Sequence, residues 1–426
     1  VASSASMLRP LRRAALVLLA AACTRTPPLA LPSAPTPAAP PPALAAAARG
    51  SAPAGPASRP PLEPAIRARP APCLPRQPSA PPSALAEAAN AALDADQSQR
   101  ALDCAEEALR LAPRLVPALS ARAEALARLG QLEPARLAFA RALAVDPDDA
   151  AVLLDAADFH VRRLGESRDA LETGLEYALR GARIASRPPR RDRDLAARLE
   201  LAAGMAENDL GRSQLALPHL DRAVQALPRE AAAVYERGVA LFELCRFEEA
   251  RKAFERTLAL SPDDPWALHQ LGLLAERRGD ARKAEDLLAR ARGIAPKDFQ
   301  PDLPVDARAF QAEVDAAVAA LPEAERKALR LAPVEVQDLP DTDDLVATEP
   351  PLSPTILGLY RGPAEDEPCT EADGPKCRSI VVYRKNLLRF ARDRRELTEQ
   401  IRVTLLHELG HLHGEDDDEL RDRGLE

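Results

Sequence analysis

Proline recurs at a 34-residue spacing over much of this chain: Pro113 and Pro147, then Pro228, Pro262 and Pro296. The same period carries Gly204, Gly238 and Gly272, then Ala216, Ala250 and Ala284. It also carries Leu220, Phe254 and Leu288, and Ala223, Thr257 and Ala291. A fixed repeat constrains the fold strongly, because a single unit cannot bury its apolar face and must stack on its neighbours. Small residues let paired helices approach, the Leu/Phe position plugs the space between consecutive pairs, and proline ends each unit.

This pattern resembles the tetratricopeptide repeat, and it predicts an all-α solenoid over 82–298. The clean units are 116–149, 197–230, 231–264 and 265–298. Residues 82–115 fit less well, and 150–196 is degenerate, with an insertion around Pro188-Pro189-Arg190-Arg191. Five or six units exceed the roughly three that a stable array needs. A solenoid of this kind presents a concave groove suited to a peptide or a partner protein, although aromatics make up only 3% of the chain. An Ala-rich spacer without a ligand is the competing reading. Cys104 and Cys245 read as small core residues, Cys73 has no obvious partner, and His160, His219 and His269 read as ordinary helix residues.

Upstream, Met7-Leu8-Arg9-Pro10-Leu11-Arg12-Arg13 is basic and Ala14 to Ala22 is a short apolar run ending at Cys23. Residues 7–23 therefore read as a signal peptide, far too short to span a bilayer. Leu19-Ala20-Ala21-Ala22-Cys23 resembles a bacterial lipobox, with Cys23 the lipidated residue, although the leucine stands one place further from the cysteine than usual. An Ala20-x-Ala22 cut giving a soluble periplasmic or secreted protein is the alternative. Thr24 after the cysteine favours the outer membrane, facing periplasm or surface. Roughly a third of residues 24–81 are proline, which predicts an extended, coreless tether.

Chemistry concentrates near the other end. His407-Glu408-Leu409-Gly410-His411-Leu412-His413-Gly414-Glu415-Asp416-Asp417 reads H-E-x-x-H-x-x-G-x-x-D, and three of the chain's six histidines fall within it. On a helix, His407 and His411 share a face and can hold one metal ion, with Glu408 placed as general base. Asp393 to Glu396 has the spacing of a capping box, Ile401, Leu405, Leu409 and Leu412 form the buried stripe, and Gly414 stands at a helix-ending position. Asp417 supplies a third ligand after that reversal, with Asp416 and Asp418 as adjacent alternatives. His413 points about 200° round the helix from His411 and stays outside the set.

These residues, with Ser379 to Lys385, Ala391 to His411 and Gly414 to Leu420, resemble the minimal zincin-like metallopeptidase family. The resemblance implies a small α+β domain, taken as 299–426, with Zn2+ at His407, His411 and Asp417 and Glu408 as base. Leu412 departs from the family, which commonly has histidine there, and the insertion Cys369 to Cys377 is an addition. That pair would form a disulfide in an oxidising compartment. Arg378 to Tyr383 reads as a strand and as a candidate rail for a peptide substrate, with Tyr383 a candidate contact; an ordinary packed strand is the competing reading.

A net charge of −8 argues against a primary nucleic-acid role. Two readings remain. One is an exported, lipid-anchored zinc peptidase acting on a peptide or protein substrate, with its repeats binding substrate or partner. The other is a non-catalytic repeat scaffold lipoprotein with a degenerate or structural zinc domain.

Overall fold

The computed structural model describes residues 73, 80–165, 167–189, 191–369 and 377–425. The expected signal segment, Cys23, nearly all of the expected tether and the Asp373-Gly374-Pro375 turn lie outside them. Among the described residues no helix is long and apolar enough to cross a membrane.

Twelve helices stack as six antiparallel pairs: α1 (Pro82–Asp94) with α2 (Ser98–Leu111), α3 (Val116–Arg128) with α4 (Leu132–Val145), α5 (Ala150–Arg163) with α6 (Arg168–Ala185), α7 (Arg193–Asp209) with α8 (Ser213–Ala226), α9 (Ala231–Glu243) with α10 (Phe247–Leu260), and α11 (Pro265–Arg277) with α12 (Ala281–Ile294). The repeat arithmetic is visible as close packing. A Cβ on Gly204, Gly238 or Gly272 would lie 2.5, 2.6 or 2.8 Å from Leu220, Phe254 or Leu288 respectively, so the missing side chain is what lets each plug seat. The degenerate stretch is still a helical pair, and its insertion lengthens α6 and α7 to 18 and 17 residues.

One position in the turn between paired helices repeats as well. Gly130, Gly211 and Gly279 all have φ near +75° to +77°, and the equivalent places are held by Asp96 (φ 56°) and Cys245 (φ 57°). A side chain there is a strained choice, and at Cys245 the thiol points at the Leu352 carbonyl, 3.6 Å away. Cys104 is not a plain core residue. It is disulfide-bonded to Cys73 with Cα atoms 5.0 Å apart, a pairing that the sequence did not suggest because the partner lies among prolines outside the repeat.

The C-terminal unit is built from α13 (Ala307–Ala320), α14 (Glu323–Ala328), β1 (Val334–Gln337), α15 (Thr342–Leu345), β2 (Gly358–Arg361), β3 (Ser379–Tyr383), α16 (Arg384–Phe390), α17 (Arg394–Leu412) and α18 (Asp417–Asp422). The sheet order is β1-β3-β2, with β1 parallel to β3 and β2 antiparallel to it. This corrects one expectation: β3 is the central strand, hydrogen-bonded on both sides, so it offers no free edge to a substrate. Ile380 and Val382 face a core made with Phe310, Val314, Leu397, Ile401, Leu405 and Leu409. Val381 and Tyr383 face the other way, into a cluster with Leu345, Leu352 and Ile356, against which Cys245 and Phe247 of the repeats pack. Tyr383 is fully buried and its hydroxyl lacks a partner, so it serves as packing and cannot touch a substrate.

Candidate metal centre

α17 begins as its sequence suggests. The Asp393 carboxylate accepts from the Glu396 amide at 2.9 Å, but Glu396 reaches one residue further back than a capping box requires, accepting from the Arg392 amide. The helix ends at Gly414, φ +85°. There the Gly414 and Glu415 amides return to the carbonyls of His411 and Gly410, which is the Schellman pattern that lets the chain reverse. After the reversal Asp416 caps α18 in a full capping box with Glu419. Asp416 is thereby spent on the helix terminus, and Asp418 is ion-paired to Arg421. Asp417, the first residue inside α18, is the one turned inward. Leu420 of α18 packs against Gly410, where a Cβ would collide with it.

The donors converge. His407 Nε2 and His411 Nε2 are 3.2 Å apart, and Asp417 Oδ1 lies 3.6 and 3.3 Å from them. Among the described residues these three form the only group of His, Cys, Asp or Glu placed to hold a metal ion. Donors on a tetrahedral ion at about 2.0–2.1 Å would be separated by roughly 3.3 Å, so the spacing fits. The remaining ring nitrogens support it: His407 Nδ1 lies 2.6 Å from the Leu425 carbonyl oxygen and His411 Nδ1 lies 3.1 Å from that of Glu415. Each carbonyl can only accept, so each Nδ1 carries a proton and each Nε2 lone pair points inward. Asp417 Oδ1 is buried and faces only the two imidazoles.

Charge follows the geometry. For both histidines burial works against protonation, but the hydrogen bond to Asp417 and the nearby Glu408 charge outweigh it and hold them above the usual imidazole value. For Asp417 burial works upward, and the two imidazoles overcome it, bringing its carboxyl down to about 2. Glu408 is buried, which raises its carboxyl, although His407 and His411 oppose the shift. Its Oε2 accepts from the Tyr360 amide of β2 at 2.6 Å. Gly358 allows that approach, since a Cβ there would be 2.5 Å from Thr404 Cγ2 and 2.9 Å from Glu408 Oε1.

Other residues singled out in the sequence fall elsewhere. His413 lies outside the donor group, between Glu365 and Glu325. Cys369 and Cys377 are joined as a disulfide. Gly358 to Gly362 also resembles a family segment, but its sequence assigned no role to Gly358 or Tyr360, and the Leu425 carbonyl was missed; Tyr360 and Leu425 act through backbone atoms, which no residue type announces.

The fold and site define a mostly helical repeat solenoid followed by a small sheet-containing zincin-like domain. Residues 329–425 match the family model for zincin-like metallopeptidases, and residues 201–265 and 246–301 match two tetratricopeptide-repeat models. No curated protein matches the chain. Among solved structures, YrrB, described as a tetratricopeptide-repeat protein with an unusual peptide-binding site, is 20% identical, with 46% of this chain and 94% of its own covered at a TM-score of 0.35. PilW, described as a widely conserved type IV pilus biogenesis factor, is 20% identical over 50% of this chain and 94% of its own, TM-score 0.44. The Pseudomonas aeruginosa PilF structure is 16% identical over 55% and 97%, TM-score 0.43.

Proposed function

We propose that this chain is a zinc-dependent peptidase of the cell envelope. The observation that carries this is the convergence of His407 Nε2, His411 Nε2 and Asp417 Oδ1 within 4.8 Å of one another, with Glu408 one residue along the same helix. A bound zinc ion would lower the pKa of its water towards about 7 and polarise the scissile carbonyl. Within the chain, the Glu408 carboxylate would accept a proton from the attacking water and return it to the departing amine. Its burial brings its affinity for a proton closer to neutrality, as a base working near pH 7 needs. Because β3 is interior, the substrate rail is proposed for the edge strand β2, beside the Tyr360 amide that Glu408 already engages.

Two disulfides, Cys73–Cys104 and Cys369–Cys377, suit an oxidising compartment and support export, with lipidation at Cys23 as the proposed anchor and processing before it. The repeats are proposed to capture a protein partner or substrate. Metal analysis and peptide-library cleavage by the mature chain, beside Glu408→Gln, test the reading. About one zinc per chain with cleavage lost in the variant supports it. Bound zinc without cleavage by the wild type would replace it with the repeat scaffold.

A further inference from the structure

The repeat array and the zincin-like domain share buried chemistry. Residues 338–357 leave β1, form α15 and return to β2, and along the way they lie against the last repeats. Arg277, at the end of α11, donates to the Pro340 carbonyl at 3.0 Å and stacks over the Phe247 ring at 4.5 Å. Gln214 donates to Glu349 at 3.1 Å, and the Cys245 thiol reaches Leu352. Next to Arg277, Glu276 accepts from Lys385 at 3.1 Å and from Arg389 at 2.5 Å, fixing α16 as well. Glu276 and Arg389 are largely shielded from solvent, at 12% and 16% side-chain exposure, so this pair is weakly screened.

The segment is equally well tied to the site. Asp344 of α15 makes a two-point ion pair with Arg361 of β2, at 3.1 and 2.5 Å. Asn386 of α16 donates to the carbonyls of Pro354 and Ile356. Tyr360, next to Arg361 on β2, donates its amide to Glu408 at 2.6 Å. From Arg277 to Glu408 the path is therefore three polar contacts joined by two short stretches of backbone, Pro340 to Asp344 and Arg361 to Tyr360.

We infer that Glu276 and Arg277 of the repeat array are positioning residues for the catalytic centre: Arg277 seats the 338–357 strap directly, Glu276 seats α16, whose Asn386 holds the end of the strap, and the strap in turn seats the β2 backbone that holds Glu408. The inference rests on the peptidase reading for its catalytic consequence, but not for its structural one. The last two repeats are then part of the enzyme, and the sheet face bearing Val381 and Tyr383 uses them as its cover.

Hydrogen exchange on the full chain tests this, using wild type, Glu276→Ala/Arg277→Ala, Arg277→Lys, and Leu352→Ala made from the strap's side. In the double variant and in Leu352→Ala, exchange over 338–361, the Tyr360 amide included, should rise by at least about tenfold. α17 should stay protected and zinc content unchanged. In the same variants kcat should fall by about tenfold or more while KM moves less, as misplacement of a catalytic group predicts. Arg277→Lys, which keeps a cationic donor within reach of Pro340 and leaves Glu276 in place, should stay close to wild type in both. Wild-type protection over 338–361 in the double variant would overturn the inference, as would an opened strap with the Tyr360 amide still protected. If the wild type cleaves no peptide, the peptidase reading falls and the exchange measurement still decides the inference.

Discussion

The Leu425 carbonyl oxygen lies 2.6 Å from His407 Nδ1, so a residue 18 positions along the chain sets which nitrogen of a metal-facing imidazole is free to bind. Gly424, at φ +71°, makes the bend that delivers it. Removing residues 424–426 should weaken zinc binding by about 10–100-fold, the usual scale for losing an outer-shell partner. Chelator competition measures this directly, and an unchanged affinity would show that the carbonyl does not matter.

Glu408→Gln preserves the side chain's shape and its acceptor for the Tyr360 amide while removing the base. Zinc should remain stoichiometric and turnover should fall by at least ~10²-fold. Single-turnover peptide cleavage against metal content checks both halves.

Protons compete with metal at this site. In metal-stripped protein, the depressed Asp417 carboxyl stabilises the fold above its ordinary value of 3.8, and that contribution is lost as pH falls towards about 2. The raised His407 and His411 stabilise it below their ordinary 6.5, and that is lost as pH rises through their elevated values. The cluster's contribution should therefore be greatest from about pH 4 to 6.5, and Asp417→Asn should flatten both limbs of a Tm-versus-pH curve. Zinc affinity should instead fall as pH drops through neutrality, because imidazole protons must leave, and His411→Ala should abolish it.

Gly358→Val would drive a side chain into Thr404 and Glu408. The fold should survive with β2 displaced, so cleavage should drop by about 10²-fold, the scale of a small misplacement at a reacting centre, while far-UV circular dichroism stays near wild type.

In the repeats, Gly238→Val meets the Phe254 ring, 2.6 Å from where its Cβ would stand. Overpacking of this kind costs about 1–3 kcal/mol, read as a lowered unfolding midpoint in denaturant.

Period and spacing made much of this visible in advance. The prolines and plug residues located the helical pairs, and the H-E-x-x-H helix with Gly414 located the candidate donors, because both patterns are local. What stayed hidden depends on distant partners. Nothing in Ser379–Tyr383 says whether the strand is central or marginal; that is decided by the four-residue strands Val334–Gln337 and Gly358–Arg361 on either side. The choice among Asp416, Asp417 and Asp418 turned on which one the α18 terminus consumes. Arg277 reads as an ordinary helix-end residue until Pro340, 63 positions away, is seen beneath it.

The Cys73–Cys104 bond gives the solenoid a defined point of mechanical attachment. Tension arriving at residue 73 from upstream passes through the sulfurs into the middle of α2, so α1 lies outside the load path and is not peeled away. With the bond reduced, the same pull would enter at the first helix instead of the second.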